Sequence, residues 1–231
     1  MAITVGLLAG IGSIALRWLI SGVQWLFFDM GGGVRLSIGL PGTLNSVMAP
    51  AVGLVVVSWL VRRWAPEAQG HGVPEVQFAV RARGGRIRAR VAGIKALASA
   101  ICIGSGGSVG REGPIVQIGS SLGSTVGQVL GLGADEIRVL VAAGAAGAIG
   151  STFNAPIAGV LFAMEVVLGS FATRSLGLVV VASVAATAVA HFSLGTQPAF
   201  QVVQEFALVS NWEFLLYLLL GVLSGVVALV Y

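Results

Sequence analysis

Apolar residues fall along this chain in runs of two lengths. Those over residues 1–28, 44–60, 176–192 and 212–231 approach the ~20 residues a helix needs to cross a bilayer. Between them lie shorter runs over 91–103, 114–132, 137–149 and 155–168, several too short to span, separated by breaks that contain glycine or proline. A helix broken at membrane depth leaves N–H and C=O groups without partners, which is tolerated where the break lines a cavity or a substrate site. The pattern predicts an all-α membrane protein in which tilted spanning helices alternate with half-spanning ones, their ends meeting near the midplane.

Composition removes the soluble alternative. Of 231 residues, 56% are hydrophobic and only 10% are charged, where a soluble domain carries about 25% charged residues. Thirty-four glycines fit the same solvent, because small residues let membrane helices approach where no hydrophobic effect drives them together. Gly119, Gly123 and Gly127 recur every four residues and Gly144, Gly147 and Gly150 every three, so each set predicts a close contact surface.

The sequence pI of 10.2 invites a nucleic-acid reading, but the basic residues are not spread over a surface. Arg62, Arg63, Arg81, Arg83, Arg86, Arg88, Arg90 and Lys95 crowd into one stretch beside apolar segments. The positive-inside rule places the loop from Arg62 to Arg90 in the cytoplasm of an integral protein of the plasma (inner) membrane. No nucleic-acid partner is implied. Arg17, within the first apolar run, must snorkel or face protein. The single cysteine, Cys102, reads as a small buried hydrophobe, and Trp18, Trp25, Trp64 and Trp212 suit interfacial belts. His191 has no evident chemical partner. The chain stops inside an apolar run, which reads as a truncated domain.

Three glycine loops end in a proline that opens an apolar helix: Gly70-His71-Gly72-Val73-Pro74-Glu75, residues 104–114 (GSGGSVGREGP) and residues 150–156 (GSTFNAP). Proline suits the first turn of a helix, and glycine lets backbone approach a ligand. Helix N-termini carry unpaired N–H groups and about half a positive charge. Three such ends aimed at one centre would hold an anion without a full cationic charge, and so without holding it too tightly to release. A phosphate loop is excluded by spacing. Val109 stands where a dinucleotide fingerprint needs glycine, and no Gly-Lys-Ser/Thr occurs. An enzyme would need a polar catalytic cluster, and a purely structural membrane protein would need neither an acidic gate nor glycine loops at helix ends.

Residues 104–114 resemble the signature of the CLC family of chloride channels and chloride/proton exchangers. GSTFNAPIAGVLFAME, residues 150–165, resembles its second signature, and GHGVPEV resembles its first anion-coordinating loop, usually GSGIPE. The resemblance implies the first of two inverted repeats over about residues 1–192 and the start of the second over about 211–231. It further implies a two-pore homodimer in a lipid bilayer, an inorganic anion such as chloride as the transported ligand, and no metal or organic cofactor. Glu112 matches the gating glutamate, although taken alone it is equally an acid complementing a helix dipole. Around the ion the resemblance places His71, Gly72 and Val73, with backbone N–H groups of Arg111 and Gly113; the Arg111 side chain is left as a structural pairing partner. Glu75 reads as a first-turn acid. His71 replaces the serine common at the central anion, or else faces the cytoplasmic vestibule. Val166, after Glu165, stands where exchangers often carry an internal proton acceptor. The expectation is therefore a channel, with a proton-coupled exchanger or a non-conducting membrane fragment as the alternatives.

Overall fold

The computed structural model describes residues 1–29, 42–195 and 210–230. Among these the chain is all helical, in nine α-helices: α1 (Ala2–Gln24), α2 (Gly42–Trp64), α3 (Val73–Ala82), α4 (Arg90–Gly104), α5 (Glu112–Val129), α6 (Ala134–Phe153), α7 (Pro156–Phe162), α8 (Thr173–Leu194) and α9 (Glu213–Val230). They form two compact units, Met1–Ala199 and Phe200–Tyr231. The second unit contains α9, an apolar helix with no buried residue.

Helices of 18 residues or more, apolar enough to cross a membrane, cover Ala2–Phe28, Val47–Trp64, Ala134–Phe153, Thr173–Ser193 and Glu213–Val230. The third of these corrects the sequence reading, in which the run 137–149 was too short to span. Its polar ends conceal the helix. Asp135 and Glu136 occupy the first turn, where they complement the positive helix end. The Glu136 carboxylate accepts the Gly133 N–H at 3.1 Å, which stabilises a start that apolar counting overlooks. A second correction concerns the basic stretch 62–90. It is not a simple loop, because it contains a short turn at Pro66–Ala68 and all of α3.

Helix α6 is the centre of the first unit, with 72% of its most apolar window buried. Its contact with α5 is made of glycines. A methyl group added at Gly119 or at Gly144 would strike the other's backbone carbonyl, and one at Gly123 would strike that of Leu140. The two backbones therefore touch directly, as small-residue faces allow. The second glycine set does not form one face. Gly147 packs against Ala9 and Ala186, and Gly150 against Ser183 and Thr187. A step of three residues turns a helix by about 300°, so successive glycines drift around the axis and meet α5, then α1 with α8, then α8.

Helices α4 and α5 run antiparallel. Ser124 and Gln128, near the end of α5, donate to the carbonyls of Gly85 (2.7 Å) and Ile87 (2.8 Å) in the basic stretch. The connection 105–111 and the start of α5 therefore lie at the opposite end of the pair. The α6 contact yields a sharp expectation. Gly144→Ala should lower the thermal midpoint in detergent, corresponding to about 1–3 kcal/mol of overpacking. Gly22→Ala, where nothing lies within 4 Å of the added carbon, should be neutral or stabilising by up to about 1 kcal/mol. Equal midpoints for the two variants would contradict direct backbone contact.

Candidate functional site

Two of the three glycine loops meet. Gly70 (φ 80°) and Gly72 (φ 93°) take left-handed backbone that other residues adopt only with strain, and this turns the chain sharply into α3 at Val73. Gly72 is buried against Gly113: a methyl on Gly72 would lie 2.6 Å from the Gly113 oxygen, and one on Gly113 would overlap the His71 carbonyl. The N-terminal turns of α3 and α5 are thus packed backbone to backbone.

Both turns leave donors free. The first bond of α3 is Val76 N–H to Gly72 O, and that of α5 is Ile115 N–H to Arg111 O. Prolines at 74 and 114 carry no N–H. Among the described residues, the N–H groups of Val73, Glu75, Glu112 and Gly113 have no backbone acceptor, as expected at helix starts.

A cavity of about 510 Å³ opens beside these turns, lined among others by His71, Val73, Lys95, Cys102, Glu112 and Gly113. That volume is ample for a small ligand. Glu112 is exposed on its wall, and its carboxylate folds back over Gly110, where any side chain would collide with it. Its side chain makes no hydrogen bond or ion pair among the described residues, so it does not cap the helix. His71 is also exposed on the wall.

Lys95 is the residue that sequence reasoning missed. Counted with the basic stretch, it instead lies inside α4 at 4% exposure. Its ammonium donates to the carbonyls of Ala68 (2.9 Å) and Gly70 (2.8 Å). Two of its three protons are thereby used, and the group borders the cavity. The sequence reading has helix ends without a full cation; the cavity they border is also lined by Lys95, whose ammonium is bound to two carbonyls. Its only signal in the sequence is a lysine within the apolar run 91–103. Gln117, 2% exposed, holds the same loop by donating to Glu67 O at 2.8 Å. The Glu67 carboxylate accepts in turn from Arg88.

The third loop does not join this site. Residues 150–156 pack against α8, where the Ser183 hydroxyl donates to Pro156 O (2.9 Å) and Gly150 abuts Ser183. Asn154 (φ 55°) ends α6 in the left-handed conformation that a helix stop requires, and its side-chain oxygen meets the His191 ring, so His191 does have a partner. The Arg111 side chain points away from the 510 Å³ cavity. It stacks over the Phe153 ring at 5.8 Å and shares a separate small cavity with Arg17. Val166 lies in a π-helical turn, Ala163–Leu168, that continues α7, and its carbonyl accepts the Gln77 side-chain amide at 2.9 Å.

Likeness to known proteins follows the same features. The family model described as voltage gated chloride channel matches residues 53–231. A protein of Ralstonia nicotianae, named for its likeness to the chloride channel protein ClcB, is 33% identical over 228 residues, spanning 96% of this chain and 52% of the relative. Three crystal structures share the fold. A slow cyanobacterial Cl⁻/H⁺ antiporter matches at 24% identity and TM-score 0.80, over 98% of this chain and 53% of its own. A CLC-type fluoride/proton antiporter matches at 23% and 0.74, over 98% and 54%. A eukaryotic CLC transporter matches at 22% and 0.73, over 97% and 40%. The chain spans about half the length of the curated relative it matches. The family consists of channels and transporters rather than enzymes. With its glycine loops, broken helices and this match over most of its length, the chain is a membrane protein that belongs to the voltage gated chloride channel (CLC) family.

Proposed function

We propose that this chain builds one side of a pathway for chloride or a similar inorganic anion, with Glu112 as the gate. The observation that carries this is the pairing of two helix N-termini, with free N–H groups at Val73 and Gly113, on one cavity that also holds Lys95 and Glu112. Helix ends supply partial positive charge that attracts an anion yet lets it go. A Glu112 carboxylate competes for that place as a tethered anion, and protonation removes its claim. His71 contributes to selectivity from the cavity wall, and Gly72 and Gly113 serve by letting the two ends approach. Arg111 supplies its backbone at the start of α5. In this account the working protein is a homodimer in the bilayer, as its family resemblance implies.

Passage is passive rather than proton-coupled in this account. Val166 carries no titratable group, and its neighbour across the turn, Gln77, offers only an amide. The exchanger reading has its own support in the names of two structural relatives, which are proton antiporters. One assay separates the two and tests the gate. In proteoliposomes of the full-length protein, anion flux should rise on acidification, and Glu112→Gln should remove most of that response by imitating the protonated gate. A Gln variant that keeps the full pH response reduces Glu112 to a helix-end acid. Uphill proton movement driven by the anion at a fixed ratio would select the exchanger.

The same account sets the segment from Arg62 to Arg90 on the cytoplasmic side. A cysteine introduced at Arg81, exposed on α3, should react with an impermeant thiol reagent only from the cytoplasm. Reaction from outside intact cells reverses the orientation.

A further inference from the structure

Apart from the main cavity, the first unit contains a second place where cations gather. A small cavity of about 20 Å³ is lined by Ser13, Leu16, Arg17 and Ile20 of α1, by Arg111 at the start of α5, and by Thr152 of α6. It lies beside the start of α5, at the end of the α4–α5 pair opposite Gly85 and Ile87. We infer that this cavity is a capture site for a monatomic anion, held between Arg17 and Arg111 before it reaches Glu112.

Charge is the first reason. Two arginines, Arg17 and Arg111, line one small cavity, and no acidic group forms an ion pair with either among the described residues. Guanidinium stays charged at any working pH, so like charges that face one space without an acid favour an anion between them. The Arg111 guanidinium is held in place by its stacking on Phe153. The positive start of α5 adds to the same field.

Donor accounting is the second reason. Ser13 is 4% exposed, and the Thr152 hydroxyl donates to it at 3.2 Å. Two hydroxyls joined by one hydrogen bond use one of their two protons. The hydroxyl proton of this pair that is not shared between them can turn into the cavity. An anion beside Arg17 and Arg111 accepts it. Size then selects the ligand class. A cavity of this volume admits about one water-sized particle, which suits a halide and excludes a lipid phosphate or an organic carboxylate.

The capture role rests on the anion-transport reading, but the binding site can be read separately. Crystals of the full-length protein grown in bromide should show an anomalous peak between Arg17 and Arg111. The peak should vanish in Arg17→Gln and persist in Arg17→Lys, which keeps the charge. In proteoliposomes at low ionic strength, Arg17→Gln should raise the half-saturating chloride concentration on the order of 3–10-fold. An impermeant salt at high concentration should shrink that difference by screening, and Arg17→Lys should restore the wild-type value. Bromide beside Gly113 with none between Arg17 and Arg111 overturns the capture site and leaves the transport reading standing. A peak with an unchanged half-saturation in Arg17→Gln marks an adventitious ion only, and the capture role falls. A peak in a protein that carries no flux sinks the transport reading and with it the capture role.

Discussion

The contact on which the site depends is between two stretches of backbone, the His71 carbonyl and the Gly113 Cα. Side chains cannot be interposed there: a methyl on Gly113 would overlap the carbonyl oxygen, and one on Gly72 would crowd Gly113 in return. Helix starts normally repel one another, since each carries about half a positive charge. Here a carbonyl dipole sits between them, and the left-handed backbone of Gly72 sets its direction. Two sets of free N–H groups can then border one cavity.

The shell around this contact serves to hold it. Lys95 ties the Ala68 and Gly70 carbonyls, and Gln117 ties that of Glu67, so the incoming loop is fixed at three successive places. Burying an ammonium is costly unless it is hydrogen-bonded, and two of its protons are matched. Lys95 borders the same cavity as Glu112. Further out, the glycine contact of α5 on α6 fixes the angle at which α5 presents its first turn. A chain with few charges thus concentrates positive potential at one place using mostly partial charges.

Much of this was legible in the sequence. The loops around His71 and Glu112 announce themselves because glycine and proline at helix starts have few other uses, and both border the cavity. The loop at residues 150–156 carries the same signs and lies elsewhere. Glycine followed by proline reports a sharp entry into a helix, and the destination of that entry is set by packing, here of Ser183 on Pro156. Helix α6 was underestimated because apolar counting stops at Asp135, whose charge belongs to the helix start. Lys95 and Arg17 were the hardest to read. A cation in an apolar run is ambiguous until its neighbours are known, and those neighbours, Gly70 for one and Arg111 for the other, are far away in the chain.

The central claim is that the backbone contact at Gly113 builds the anion site, and Gly113→Ala tests it most directly. Its methyl group would force the α3 and α5 turns apart while leaving every donor and every charged side chain in the chain. Calorimetric chloride titration of the full-length protein should then show binding weakened by at least tenfold, about 1.4 kcal/mol. The helical content should be retained. Chloride affinity equal to wild type in a folded Gly113→Ala protein would contradict the account.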